Sequence, residues 1–304
     1  MTTASSTRQE PVATHRRRNS AIEEQPAGRA TFTQIAVHLT GSVEDEVRLG
    51  YAEQVARTFD AHLTGLFVGR QPEFWSGVDP IGSAVLNEVI EQARQKAQEM
   101  AAALERRFAR FDFPNDVRTL EAASGGIGRR LAAAARTSDL FIGTRPYGDP
   151  TGEEYVEEDV LFGSGHGCLL VPPGGQPPRS YQNILIAWKE TREAARAVAE
   201  ALPFLQRARQ VIVALFEEDA SEQFHMQSGA DIGRYLSRHG VSAEIRNIGG
   251  WTYTGEAILN EAKQTASDMI VMGAYGHSRF REWLLGGATR EVLANATVPV
   301  LIAH

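Results

Sequence analysis

The feature that most constrains this chain is a succession of strands and helices that occurs twice. The first copy opens with the apolar run 32–39 and the second with 183–188, and each run is typical of a buried strand. An amphipathic helix follows each run, and three more strand-forming segments alternate with helical segments before each copy ends on a fifth strand. Alternation of this kind predicts a parallel sheet with helices on both faces.

The later strands of the two copies follow the same plan. The fourth strands are similar in sequence, at 138–143 and 267–273, and both copies close on apolar segments, 168–172 and 299–303. The remaining strands are predicted at 61–68, 116–122, 211–216 and 241–248. We therefore predict an α/β fold of two tandem units, each built on a five-stranded, parallel, doubly wound sheet.

Composition sets the limits of the two units. Residues 1–30 are rich in Thr, Ser, Arg, Gln and Glu and offer little to bury, so we expect a disordered tail. The first unit is predicted at 31–173 and the second at 181–304, and the glycine- and proline-rich segment 174–180 is expected to link them.

Charge and cysteine usage exclude several classes of protein. The chain has 304 residues, is 42% hydrophobic, and carries a formal net charge of -7, which argues against a broad nucleic-acid interface. The single cysteine, Cys168, excludes an internal disulfide framework and multi-cysteine zinc patterns. No stretch approaches the roughly 18 apolar residues of a membrane span. We therefore expect a cytoplasmic protein with no membrane and no nucleic-acid partner.

A glycine-rich segment follows the fourth strand of the second copy. It has the spacing G-x-x-G-x9-G-G-x-T, formed by Gly273, Gly276, Gly286, Gly287 and Thr289. Glycines allow backbone amides to approach a ligand, and a helix that begins at such a segment offers unpaired N–H groups and partial positive charge. In parallel sheets, ligands bind beyond the carboxyl ends of the strands. The spacing thus predicts a phosphate site, although these glycines also suit a tight strand exit and a helix start.

This spacing, together with the closing segment 296–301, resembles the signature of the universal stress protein family, and the resemblance extends over residues 31–304. It implies an adenine-nucleotide α-hydrolase-like fold and a site for ATP, with or without Mg²⁺. The implied nucleotide-binding residues are Gly273, Gly276, His277, Gly286, Gly287, Ala288 and Thr289 of the glycine segment, and Ala187, Trp188 and Lys189 after the first strand.

Two residues of the second copy depart from the family pattern. Gly287 stands where the family usually has Ser or Thr, so Thr289 must supply any hydroxyl contact. Lys189 stands where the family commonly has an Asp that meets the adenine, and a lysine cannot accept a hydrogen bond from the adenine amino group. Glu190 is the alternative acceptor.

The first copy has lost much of the same pattern. Pro146 stands in the expected position of the second glycine, where it fixes φ and removes an N–H group. The last helix is predicted at 151–162 with several acidic residues in its early turns, which repel phosphate. Glycines at 163–167 predict a helix-to-strand turn, and those at 125–128 predict a helix start capped by Ser124. We expect no nucleotide site in this copy.

No nucleophile, base or metal motif is recognisable in the chain. We therefore predict no catalytic residues and no metal ligands, and interpret the protein as a nucleotide-binding stress-response module without efficient turnover. The alternatives are a scaffold whose sites have both decayed, and a slow ATP hydrolase in which His277 acts as acid or base and Glu282 or Glu291 holds Mg²⁺. The resemblance also implies that segments 168–172 and 299–303 pair within the chain, with a homodimer as a further assembly.

Overall fold

The computed structural model describes residues 30–71, 83–146, 156–216, 222–274 and 287–304. The N-terminal half contains β1 Gln34–Leu39, α1 Glu44–Phe59, β2 His62–Gln71, α2 Ser83–Phe108, β3 Asn115–Ala123, a 3-10 turn at Ser124–Gly126, α3 Ile127–Ala135, β4 Leu140–Thr144, α4 Val156–Gly163 and β5 Gly167–Val171. The C-terminal half contains β6 Asn183–Trp188, α5 Arg192–Leu205, β7 Gln210–Phe216, α6 Glu222–Arg238, β8 Ala243–Ile248, α7 Thr254–Gln264, β9 Met269–Gly273, α8 Gly287–Asn295 and β10 Val300–Ala303.

The ten described strands form one sheet in the order β3-β2-β1-β4-β5-β10-β9-β6-β7-β8. Strands within each half are parallel, and the halves join through the antiparallel pair β5–β10, in which Leu169 lies opposite Leu301 and Cys168 opposite Ile302. The predicted α/β class and the five parallel strands in each half are confirmed. The pairing of β5 with β10 joins the two five-stranded sheets into one, so neither final strand exposes an unpaired edge.

The strands nearest this junction are buried throughout because helices cover both faces of the sheet. Every residue of β4, β5, β9 and β10 is buried, as expected for central parallel strands. One face packs against α1, α2, α5 and α6, and the other against α3, α4, α7 and α8. On the first face, the rings of Phe59 and Phe204 join the two halves at 5.1 Å between centroids.

The connection between β5 and β6 is held against helix α1. The backbone N–H of Gly174 donates to Glu44 Oε2 (3.0 Å), and the Tyr51 hydroxyl donates to the carbonyl of Gln176 (2.8 Å). Residue Ala30 also bonds into the fold, since its N–H donates to Gln206 Oε1. Of the tail predicted at 1–30, all residues but Ala30 lie outside the described residues, and the division into units at 31–173, 174–180 and 181–304 stays a prediction.

Two local expectations have different outcomes. The glycine segment 163–167 does join α4 to β5 as a turn. The N-cap residue of α3 is Gly126 and not the predicted Ser124, because the chain makes a 3-10 turn at Ser124–Gly126 before the helix begins. Within the described ranges, no helix combines the length and apolar character that a membrane crossing requires.

Candidate functional site

Strands β6 and β9 lie side by side in the C-terminal half, and their carboxyl ends bring several predicted residues together. Ala187 pairs with Met272, so Ala187, Trp188 and Gly273 share one edge of the sheet. From this edge the chain continues to β7 on one side and to β10 on the other, which is the strand-order reversal where doubly wound sheets bind ligands. Helix α8, which carries Thr289, begins at Gly287.

Gly273 is required by packing at this edge. A Cβ atom at this position would lie 2.4 Å from the backbone nitrogen of Ala194 and 2.6 Å from the carbonyl carbon of Glu193. The first turn of α5 therefore rests directly on the last residue of β9. Thr191 caps the same helix end, because its Oγ1 accepts a hydrogen bond from the N–H of Ala194 (3.2 Å).

Thr289 lies in the first turn of α8 and is fully buried. Its Oγ1 atom has no hydrogen-bond partner among the residues that the structure describes. A buried hydroxyl left in this state costs about 1–3 kcal/mol. Two residues earlier, Gly287 is exposed and a Cβ atom there would meet nothing within 4 Å. The helix start thus combines an unsatisfied hydroxyl with open space.

The residues at the end of β6 point in different directions. Ala187 belongs to the core beneath α7 and α8, whereas Trp188 packs on the opposite face. The Trp188 indole N–H donates to Ser228 Oγ in α6 (3.0 Å). Lys189 and Glu190 are exposed in the loop that follows. Trp188 therefore bridges the strand to a helix.

Part of the predicted site lies outside the described residues, namely Gly276, His277 and Gly286, and with them Glu282. Glu291 is described, and its carboxylate lies against the first turn of α7, since a Cβ atom at Gly255 would meet Glu291 Oε2. No cluster of three or more metal-ligating side chains occurs in the described parts of the chain.

The N-terminal half has a buried ion pair at its corresponding edge. Arg48 is 1% exposed and donates to Asp45 Oδ1 (2.5 Å), Thr40 Oγ1 (2.7 Å) and Thr144 Oγ1 (2.9 Å). The Asp45 carboxylate also accepts the backbone N–H groups of Thr40 (2.9 Å) and Gly41 (2.7 Å). This network closes the loop after β1. Sequence reasoning missed it, although Asp45 and Arg48 lie at helical spacing in α1.

Strand register corrects the expected alignment of the two halves. The N–H of Arg145 bonds to the carbonyl of Val171, as that of Ala274 bonds to Ala303. Thr144, and not Gly143, therefore occupies the position of Gly273. The position of the second glycine consequently falls one residue after Pro146, outside the described ranges, so the interpretation of Pro146 is wrong.

The same register places Glu157 at the position of Thr289. Cys168 and Val300 are equivalent in the sheet, and Glu157 lies as far before Cys168 as Thr289 lies before Val300. His38 Nδ1 lies 3.5 Å from Glu157 Oε1, and both side chains are largely buried. The first half thus has a carboxylate where the second half has a hydroxyl. Helix α4 is described from Val156, and the predicted start at 151 lies outside the described residues.

A cavity of about 370 Å³ lies between the loop after β1, the end of β2 and helix α2. Thr40 and Ser42 supply hydroxyl groups, Phe67 and Val68 supply an apolar wall, and Lys96 and Met100 close the side formed by α2. In the C-terminal half, α6 corresponds to α2, and Trp188 at the end of β6 donates a hydrogen bond to Ser228 of that helix. Sequence reasoning missed this cavity.

Solved structures share this fold. A universal stress protein from Archaeoglobus fulgidus has a TM-score of 0.67 and 16% identity, covering 88% of this chain and 97% of that chain. A putative universal stress protein from Pseudomonas aeruginosa has a TM-score of 0.56 and 16% identity, covering 90% and 93%. At this identity the two structures show the fold alone.

Sequence comparison reaches the family through the C-terminal half. Residues 180–304 match the model of the universal stress protein family. Universal stress protein Slr1230 of Synechocystis sp. is 35% identical over 78 residues, which is 25% of this chain and 26% of that relative, so the alignment spans about a quarter of the relative's length. The similarity of this chain to the universal stress protein family is therefore found over residues 180–304.

Proposed function

We propose that the C-terminal half binds an adenine nucleotide, with its phosphates at the N-terminus of α8, and that the protein is a stress-response module without efficient turnover. The observation that carries this proposal is the Thr289 hydroxyl, which is buried without a partner in the first turn of that helix. A phosphate oxygen is an acceptor that satisfies such a hydroxyl, and the unpaired N–H groups of the helix start add further donors.

Charge at the helix start supports the same assignment. The first turn of α8 contains no acidic residue, whereas the first turn of α4 contains Glu157, Glu158 and Asp159. Anions are stabilised near a helix N-terminus and repelled by carboxylates placed there. We therefore assign the phosphate site to the C-terminal half alone.

The proposed nucleotide-binding residues are those of the glycine segment and of the end of β6. Among them, Gly287 leaves room for the ligand, and Gly273 sets the position of α5 against β9. Lys189 offers no acceptor to an adenine amino group, so we expect modest discrimination between purine bases. We further propose that the two halves act as a tandem pair within one chain, joined at β5 and β10.

Titration calorimetry of ATP with Mg²⁺ into the purified, nucleotide-free chain tests the proposal. We expect about one site per chain in the wild type. Thr289→Val keeps the shape of the side chain and removes the hydroxyl, so we expect ATP affinity to fall by about tenfold, the effect of one hydrogen bond to a charged group. The same substitution is expected to raise the unfolding temperature of the unliganded protein, because it removes the unsatisfied hydroxyl.

Thr297→Val is the matched control, since Thr297 is exposed in the turn before β10. It is expected to change neither affinity nor stability. No heat at about 1 mM ATP from a folded wild-type protein would overturn the proposal. Release of ADP or AMP on incubation with ATP and Mg²⁺ would instead identify a hydrolase.

A scaffold without nucleotide is the second candidate function. It is favoured by the hydrogen bond from Trp188 to Ser228, because this bond bridges β6 and α6 beside the place where a base would enter. Trp188→Ala opens that space. If ATP binds only to this variant, the wild-type chain is the scaffold.

A further inference from the structure

One side chain of the N-terminal half forms hydrogen bonds with the C-terminal end of α8, the helix that carries the proposed phosphate site. Arg145 directly follows strand β4, and its Nη1 donates to the carbonyl oxygens of Leu293 (2.5 Å) and Ala294 (2.6 Å). Both carbonyls belong to the last turn of α8. The opposite end of the same helix carries Thr289.

The contact satisfies groups that a helix leaves open. The last four carbonyl oxygens of an α-helix have no partner within the helix. At the end of α4 in the N-terminal half, the carbonyl of Gly163 accepts a hydrogen bond from Arg136 of the same half (3.1 Å). In the C-terminal half, the partner comes from the other half of the chain.

The C-terminal half cannot make the equivalent contact to the N-terminal half. By strand register Arg145 occupies the position of Ala274, whose side chain is a methyl group and cannot donate. The backbone N–H of Arg145 bonds to the carbonyl of Val171 (2.8 Å), which fixes the root of the side chain beside β5. The Arg145 side chain therefore starts from a fixed position at the end of β4 and holds the last turn of α8 through two hydrogen bonds.

We infer that Arg145 is a positioning residue for the phosphate site, through which the N-terminal half controls the anion affinity of the C-terminal half. This inference rests on the proposed function. A cation at the C-terminus of a helix complements its dipole, whose positive end faces the phosphate. The two hydrogen bonds also fix α8 along its axis and hold Thr289 at the sheet edge. Binding of phosphate at one end and the grip at the other should then strengthen each other.

The charge of Arg145 is retained in this setting. Burial lowers the pKa of the Arg145 guanidinium. An arginine side chain nevertheless keeps its charge in proteins at neutral pH.

Hydrogen exchange of α8 without nucleotide and calorimetry with ATP, AMP and adenosine test the inference in the full chain. Arg145→Ala is expected to speed exchange in 287–295 and to weaken ATP binding by about fivefold. The loss should shrink from ATP to AMP and vanish for adenosine, because only phosphate meets the helix end. Arg145→Lys restores a cation and one donor group, so it should recover part of the ATP affinity.

Arg196→Ala is the matched control. Arg196 also joins the halves through a carbonyl, that of Gly165 (2.7 Å), but it does not touch α8. It is expected to leave the ratio of ATP to adenosine affinity unchanged. An equal loss for all three ligands, or no loss of ATP affinity in Arg145→Ala, would overturn the inference while the proposed function stands. If the wild type binds no ATP, the proposed function fails and the phosphate role of Arg145 fails with it. Faster hydrogen exchange of 287–295 in Arg145→Ala would still show that Arg145 stabilises α8.

Discussion

The two halves of the sheet end in edges of opposite chemistry. At the N-terminal edge, Arg48 and Asp45 form a buried ion pair that occupies the loop after β1, and Glu157 stands in the first turn of the final helix. At the C-terminal edge, Gly273 lies against the backbone of α5, and the Thr289 hydroxyl has no hydrogen-bond partner in the described parts of the chain. One topology thus supports an edge whose loop is closed by an internal ion pair and an edge where the buried Thr289 hydroxyl finds no partner among the described residues.

The opposite ends of the same strands have barely diverged. Asp139 accepts the N–H groups of Thr33 (2.7 Å) and Gln34 (2.9 Å), and Asp268 accepts those of Gln182 and Asn183 (both 2.8 Å). These bonds hold the start of β1 and of β6 in the same way. The divergence is therefore concentrated at the carboxyl ends, where sheets of this kind bind ligands.

The largest effect is expected from removing the ion pair of the N-terminal edge. Arg48→Ala leaves the Asp45 carboxylate buried without its cation, and we expect a loss of about 3–5 kcal/mol in the free energy of unfolding, measured by urea denaturation. Adding Asp45→Asn to this variant should recover part of the loss, because it removes the uncompensated charge.

Arg107→Ala is the control for this experiment. Arg107 pairs with the exposed carboxylate of Glu46 (3.1 Å), and such pairs contribute about 1 kcal/mol or less. An equal, small loss for Arg48→Ala would mean that the buried pair does not hold the loop. The contrast between the two edges would then rest on Glu157 and Thr289 alone.

The repeated plan was predictable because it depends on local pattern. Apolar runs of strand length and helical periodicity placed β1, β4, β6 and β9 within one or two residues of their bounds. The carboxyl edges they form followed from parallel topology. The glycine spacing then indicated Thr289, whose burial depends on packing that the spacing does not describe.

Features set by contacts distant in sequence were not predictable. The alignment of Gly143 with Gly273 relied on residue type, whereas the register that puts Thr144 there is set by hydrogen bonds to β5. The grip of Arg145 on α8 joins residues 148 positions apart and leaves no local signal. The pairing of β5 with β10 also leaves no local signal, and it was expected only from the family resemblance.

An intermediate effect is expected at the close contact of the C-terminal edge. Gly273→Ala places a methyl group 2.4 Å from the backbone nitrogen of Ala194, and a backbone cannot swing aside as a side chain can. We expect a loss of about 1–3 kcal/mol in urea denaturation. Gly287→Ala enters open space and should leave the free energy of unfolding unchanged or slightly raised, because alanine favours the helix. Equal stability of the two variants would contradict the close packing of α5 on β9.

The smallest effect is expected where the two halves agree best. The Thr33 hydroxyl donates to Asp139 (2.8 Å), a bond that Asp268 does not receive from Gln182. Burial acts to raise the pKa of Asp139, but the hydrogen bonds from Thr33 and Gln34 outweigh it and hold that pKa below its ordinary value. Thr33→Val is therefore expected to raise the pKa of Asp139 and to cost at most about 1 kcal/mol at neutral pH.

The pH dependence of this loss identifies its origin. A carboxyl group whose pKa is lower in the folded state stabilises the protein above its unfolded pKa of about 3.9, and this contribution is lost as pH falls through the folded value. The wild type and Thr33→Val should thus differ at pH 7 and converge in acid, as measured by urea denaturation across pH. A difference that persists in acid would trace the loss to packing of the threonine methyl group instead. The hydrogen bond from the Thr33 hydroxyl would then not be what distinguishes the Asp139 contacts from those of Asp268.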